Sequence, residues 1–406
     1  MSRESAILAT SGKPRRRTRH ASQLFIVPLL LSACGGFART PVLSPAWPFA
    51  IDTLLTETTQ PGVTHRYIYT HAGPWAIHVL DVDLDRCNSA VAVKGAGGAI
   101  GREKTSTLLG NLGRTRHVVG GVNADFFSLT TPPGVPTGAL ISRGRVIAGP
   151  SAQPVLAFDS TGVPRITTLH ATGTAIAGAW RYEITGWNHA IPDGLAFFDA
   201  NWSHVTDTAS SVVEVALSGG IGSRVVLVDT ATSGVTIPAG GAVLIAGRNA
   251  PAEMRDALLA LRPGDALGAD VSLAPAFPRE AVGGRPVLVR DSLVPGIVDT
   301  EGQPGFATGR HPRTAAGIAR GGKRLILVVV DGRQMAYSDG MTLRELANFM
   351  LVLGARDAIN LDGGGSTTLV YADSAGVLRI ANRPSDAAGE RLVGDALGIV
   401  STCKKG

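Results

Sequence analysis

The chain has 406 residues, 44% hydrophobic and 17% charged, which suits a large buried core and excludes a disordered tail. Its net charge of +6 does not signal nucleic-acid binding. Residues 1–33 hold six basic residues and one acid, leaving 32 basic and 31 acidic residues for the rest, and no basic stripe with interleaved aromatics crosses the body.

The basic leader has a recognisable shape. "KPRRRTRH" precedes "ASQLFIVPLLLSAC", a positive region followed by about ten apolar residues, too few to span a bilayer, which takes about 20. The leader ends in Leu31-Ser32-Ala33-Cys34, which resembles the lipobox of bacterial lipoproteins, where cleavage leaves the cysteine lipidated. The expectation is a signal peptide over 1–33, a Gly/Pro/Ser-rich tether over 34–60 and one globular domain over 61–402. That domain would hang from a membrane through Cys34, facing the periplasm or the exterior. The remaining cysteines, Cys87 and Cys403, are then either one disulfide of an oxidising compartment or two free thiols.

The 51 glycines, 24 prolines and 5% aromatics point to many turns and short strands. "WAIHVLDVDLD" (75–85) alternates as a strand does and puts Asp81, Asp83 and Asp85 on one face, which reads as solvated. No EF-hand fits, because its glycine and glutamate positions hold Arg86 and Ala92. "HVVGGVNADFF" (117–127) is an apolar run ending at Asn123 and Asp125. Short alternating stretches follow, and no long helical pattern appears before "PAEMRDALLALRPGD" (251–265), the first convincing helix.

The last hundred residues are more regular. "HPRTAAG" (311–317) supplies Arg313 and Thr314; Arg313 is a candidate bidentate clamp for a phosphate or carboxylate. "RLILVVVDGR" (324–333) is a buried strand ending at Asp331. "TLRELANFMLVLGA" (342–355) reads as a helix, with a Thr342/Glu345 capping box and Gly354 as its stop. "DAINLDGGGS" (357–366) is a further strand, ending at Asp362 and followed by three glycines and Ser366. Such a run weakens regular structure by roughly 0.5–1 kcal/mol per glycine, so it marks special backbone angles or a close approach. The loop Gly363-Gly364-Gly365-Ser366 is neither a Walker loop nor a nucleophile elbow, and its N–H groups are expected to converge on an anion. Three strand ends bearing Asn123/Asp125, Asp331 and Asp362 favour one shared site. Nine histidines without H-E-x-x-H or a close pair give no reason to expect a metal or other cofactor.

"GGVNADFF", "HPRTAAGI", "LVVVDGRQ", "SDGMTLRELANFMLVLGARDAINLDGGGSTTLV" and "NRPSDAAGERLVGDAL" together resemble the phosphodiester glycosidase family, in the family's order, over roughly residues 61–402. Ala124 departs from the glycine many relatives carry there. The resemblance implies a β-rich α+β fold of mixed sheets with a few packed helices in one catalytic domain. It also implies hydrolysis of a sugar, for instance N-acetylglucosamine, joined through its anomeric carbon to a phosphodiester. On this reading Asp362, Asp331 and Asp125 are the catalytic carboxylates. Asn123, Arg313, Thr314, Gly363, Gly364, Gly365 and Ser366 would hold substrate and phosphate. The alternatives are a glycosidase of uronic-acid glycans and a non-catalytic module that binds envelope polysaccharide.

Overall fold

Short apolar stretches between glycine and proline turns build four large sheets and one two-stranded ribbon in the structure, a computed structural model describing residues 49–130, 132–206, 211–219, 223–230 and 234–403. The leader, Cys34 and the first part of the tether lie outside the described residues. The tether gives way to strand before residue 60: Thr53–Gln60 pairs along its length with Val63–Thr70.

One seven-stranded sheet runs in the order Thr53–Gln60, Val63–Thr70, Trp75–Asp83, Arg324–Val330, Arg313–Ala319, Asp357–Asn360, Val287–Val289. Its central strand shows why an unbroken apolar run was needed. Leu325, Leu327 and Val329 face the main core shared with other sheets, while Ile326, Val328 and Val330 face the packing around helix Leu343–Val352. That helix carries the expected capping box, and buries Leu343, Leu346, Ala347 and Met350. Cutting such a side chain to alanine typically costs 2–5 kcal/mol, so the helix is held by its buried face more than by propensity.

A five-stranded sheet is ordered Leu378–Ile380, Leu369–Ala372, Val118–Asn123, Ala396–Ser401, Asn88–Val93. The two remaining large sheets are formed mostly by residues 140–283. Among the described strands the pairings are antiparallel except Trp180–Trp187 beside Leu195–Asp199, which makes that sheet mixed. With three α-helices among the described residues, the chain is β-rich α+β. Two of the helices depart from the sequence expectation. Thr105–Gly113 has no side-chain cap to announce it, and the helix expected over 251–265 is Ala252–Leu259.

Cys87 and Cys403 are bridged, with Cα atoms 5.4 Å apart, joining the approach to strand Asn88–Val93 to the exit of Ala396–Ser401. Asp81 is not solvated as expected: Arg66 reaches it at 3.1 Å and Arg324 closes on it with two donors. No helix among the described residues is long and apolar enough to cross a membrane.

Candidate active site

The strands Val118–Asn123 and Asp357–Asn360 belong to different sheets, yet their ends are stitched together. Asn123 Nδ2 donates to the Asp362 carbonyl at 2.6 Å, and the Asp362 N–H donates to the Ala124 carbonyl at 2.8 Å. Asn123 Oδ1 accepts from Thr314 Oγ1 at 2.8 Å and from the Thr368 N–H at 3.0 Å. Asn123 thereby fixes the Asp362 backbone, and Thr314 braces Asn123 in turn.

Asp362 points its carboxyl at the glycine loop, where Oδ1 accepts the Gly363 N–H at 2.9 Å. Burial pushes its pKa up to about 6, against the Ser366 hydroxyl, the Gly363 N–H and the Arg391 charge. A carboxyl that titrates there can accept a proton near neutral pH.

The glycine loop is not the open nest expected from sequence. Gly363 N–H goes to Asp362, Gly364 N–H to the Pro312 carbonyl at 2.9 Å, and Ser366 N–H to the Gly363 carbonyl at 3.2 Å. The three glycines exist because three neighbours press on them. A methyl on Gly363 would lie 2.7 Å from the Pro312 carbonyl oxygen; one on Gly364, where φ is +62°, would meet the Arg333 guanidinium at 3.2 Å. One on Gly365 would strike both members of the Asp386–Arg391 ion pair at 2.2 Å.

Arg313 is not placed as the free clamp the sequence suggested. Arg313 is 2% exposed, and its guanidinium donates to the carbonyls of Met341, Phe306 and Gly309 at 2.8, 2.6 and 3.0 Å. It ties the 306–309 loop to the sheet and is no free clamp. Arg333 and Arg391 take its place beside the glycines. Arg333 holds a left-handed φ of 59°, a costly conformation for a long side chain, and among the described residues no carboxylate pairs with it. Its Nη2 lies 3.3 Å from His311 Nδ1. His311 Nε2 lies 3.1 Å from the Gly305 carbonyl, which can only accept, so Nε2 carries the proton and Nδ1 receives the Arg333 donor. Burial, then the charges of Arg313 and Arg333, hold the His311 pKa down.

Asp331 departs from expectation as well. Its carboxylate accepts from Asn382 Nδ2 at 3.0 Å, from the Arg383 N–H at 3.0 and 3.1 Å, and from the Tyr337 hydroxyl at 3.2 Å. Four contacts from the 337–338 and 382–383 loops fill a carboxyl that is 1% exposed, and burial lifts its pKa to about 6. Asp331 holds the segment that brings Asp386 and Arg391 onto Gly365. Asp125, also 1% exposed, sits in a slot made by Gly138 and Gly283 and faces inward.

A cleft of about 580 Å³ opens past His311, walled by Phe126, Phe306, Arg285 and Gln303. The two phenyl rings meet edge to face at 5.9 Å, and the Arg285 guanidinium stacks on Phe126 at 5.2 Å. Apolar ring faces beside the Arg285 guanidinium and His311 suit a sugar carrying an anionic group.

Residues 211–400 match the model of the phosphodiester glycosidase family. That span resembles a phosphodiester glycosidase domain. Within the matched span lie Arg333, Asp362, the glycines and Arg391, whereas Asn123 and Asp125 come from sequence before it. The crystal structure of a hypothetical protein from Synechocystis superposes with TM-score 0.70 at 21% identity, over 86% of this chain and 64% of that one. The chain thus spans less than two thirds of that protein, and the likeness is one of fold. A Burkholderia pseudomallei protein described as exported superposes at TM-score 0.63 and 27% identity, over 81% and 74%. The catalytic domain of zebrafish N-acetylglucosamine-1-phosphodiester alpha-N-acetylglucosaminidase, auto-inhibited by its pro-peptide, gives TM-score 0.45 and 18% identity over 86% and 88%. A search of curated proteins gives no match.

Proposed function

We propose that this domain hydrolyses a glycosyl phosphodiester at the anomeric carbon–oxygen bond, releasing a free sugar and a phosphomonoester. The observation that carries the reading is the juxtaposition of the Asp362 carboxyl with the Arg333 and Arg391 guanidiniums around one glycine loop. A phosphomonoester is already a good leaving group, so catalysis needs charge stabilisation more than strong protonation. One aimed donor is typically worth about 2.7–4 kcal/mol there. Arg333, without a carboxylate of its own, takes the phosphate oxygens. Asp362, ionised, attacks the anomeric carbon or removes a proton from water, and neutral His311 accepts or relays a proton at Nδ1 once Arg333 turns to the phosphate. Phe126 and Phe306 hold the sugar ring in the cleft. We place the protein in the cell envelope, tethered through a lipidated Cys34; the Leu-Ser-Ala-Cys leader end and the Cys87–Cys403 bridge support this.

The test is incubation of the protein with sugar-1-phosphodiesters and, separately, with uronic-acid glycosides. Free sugar plus a phosphomonoester from the first set supports the reading. Turnover of the second set alone assigns the arginines to a carboxylate, and turnover of neither favours a binding module.

A further inference from the structure

Behind the glycine loop two acids are buried without a full set of partners. Asp125 is 1% exposed and Asp395 0%. Asp395 Oδ1 accepts the Asp125 N–H at 2.8 Å, and Asp125 Oδ2 accepts the Gly138 N–H at 2.6 Å. The second oxygen of each, Asp125 Oδ1 and Asp395 Oδ2, has no hydrogen-bond partner; the neighbouring Phe126 N–H gives Asp125 electrostatic help only. A cation acts on Asp395, Lys94, whose Nζ donates to the carbonyls of Gly101 and Gly134 at 2.5 and 3.2 Å. The other charges in reach are Asp362, which acts on both acids, and Glu103, which acts on Lys94.

Ionising both acids would leave one uncompensated negative charge in a place closed to water, and two carboxylate oxygens with nothing to accept from. Buried charge is tolerated only when paired and hydrogen-bonded, and a carboxyl so placed takes up a proton instead. A single proton removes the excess charge and adds the one O–H donor the cluster lacks. A glycine at 138 and another at 283 let backbone close on Asp125: a methyl on Gly283 would stand 2.4 Å from its Oδ2. Water therefore has no room on that side.

We propose that Asp125 and Asp395 hold one proton and one negative charge between them, with Lys94 as their counter-ion. The proton comes from solvent as the chain folds. Resting on the glycosidase reading, the consequence is that the pair and Lys94 together add no net charge beside Asp362, which is left as the ionised carboxylate at the glycine loop. The two acids titrate as a unit, and neither has a pKa of its own.

Infrared spectra of the full-length protein in detergent, slightly above neutral pH, test this. Wild type should show a protonated-carboxyl C=O band that shifts in heavy water. Asp125→Asn and Asp395→Asn should each lose it, since one remaining acid stays ionised against Lys94. Lys94→Met, stripped of the counter-ion, should gain about twofold in band intensity as the second acid takes a proton. Absence of the band in wild type, or its survival in both asparagine variants, overturns the proposal. Should an asparagine variant fail to fold, the wild-type band and its response to Lys94→Met decide the matter. The readout does not depend on turnover. A chain inactive on glycosyl phosphodiesters but showing the band loses the function and keeps the pair; an active chain without it does the reverse.

Discussion

The Arg333 guanidinium rests on Gly364: a methyl there would lie 3.2 Å from Nη1 and 3.4 Å from Nη2. A positively charged group is thereby held against bare backbone, one residue removed from the carboxyl-bearing end of a strand. Arg313, which the sequence made the more attractive clamp, lies beneath it with three carbonyls on its donors.

The two arginines should therefore respond differently to removal. Arg333→Ala is expected to lower kcat/KM on a glycosyl phosphodiester by about 10²–10³ with an unchanged melting temperature. Arg313→Ala should lower the melting temperature first, because it leaves the Phe306 and Gly309 carbonyls without donors and the Met341 carbonyl with the His311 N–H alone. Equal losses of stability in both variants would remove Arg333 from the site.

Gly364→Ala meets two obstacles, a φ of +62° and the Arg333 guanidinium. We expect about 1 kcal/mol of lost stability and a raised KM, because Arg333 must give way. Thermal unfolding and initial-rate kinetics on the same preparation check this, and a KM equal to wild type refutes it.

Asp362→Asn should abolish turnover while keeping the fold. Its folded pKa is about 6, above the ordinary carboxylate value, so the folded state binds the proton more tightly than the unfolded chain. The stabilisation this gives is complete below the unfolded pKa near 4 and is lost as pH rises through about 6. The asparagine variant should lack that decline, and so should gain on wild type by on the order of 1–3 kcal/mol between about pH 4 and 7. Denaturant midpoints across this range decide it: parallel curves would mean that Asp362 is not raised.

For Asp331→Asn the expectation is a loosened 382–391 segment. The amide replaces one acceptor oxygen with a donor facing the Arg383 N–H and Asn382, where hydrogen bonds to a charged group are worth about 1.5–3 kcal/mol. Faster amide exchange across 382–391, with a fall in kcat/KM, is the predicted result. Lost activity with unchanged exchange would return Asp331 to a direct chemical role.

The Cys34→Ala variant should fail to be lipidated and leave the membrane fraction, or accumulate with its leader uncleaved. An unaltered membrane fraction, with normal processing, would dispose of the anchor.

What could be read beforehand was what short-range physics controls. The run Leu325–Val330 announced a strand buried on both sides, and Thr342 with Glu345 announced a helix start, because period and capping act over a few residues. The meeting of strand ends at Asn123 and Asp362 followed from where the apolar runs stopped. The direction of a side chain did not follow. Arg313 and Arg333 look alike in sequence, and only the carbonyls of residues 306, 309 and 341, brought in by the fold, draw the first one inward. "DGR" after the strand was the available hint for Arg333, since the turn needs a left-handed residue there. Asp395 meets Asp125 across 270 residues, a distance no local pattern spans.

Strand Ala396–Ser401 lies between Val118–Asn123 and Asn88–Val93, both upstream of the span that matches the family. A gene fragment trimmed to residues 211–400 would keep Arg333, Asp362 and Arg391, yet its final strand would be left bare on both edges. Unpaired strand edges of that kind template aggregation. The family signature and the smallest piece able to fold are thus different lengths of chain, and an engineer cutting at the signature would obtain inclusion bodies.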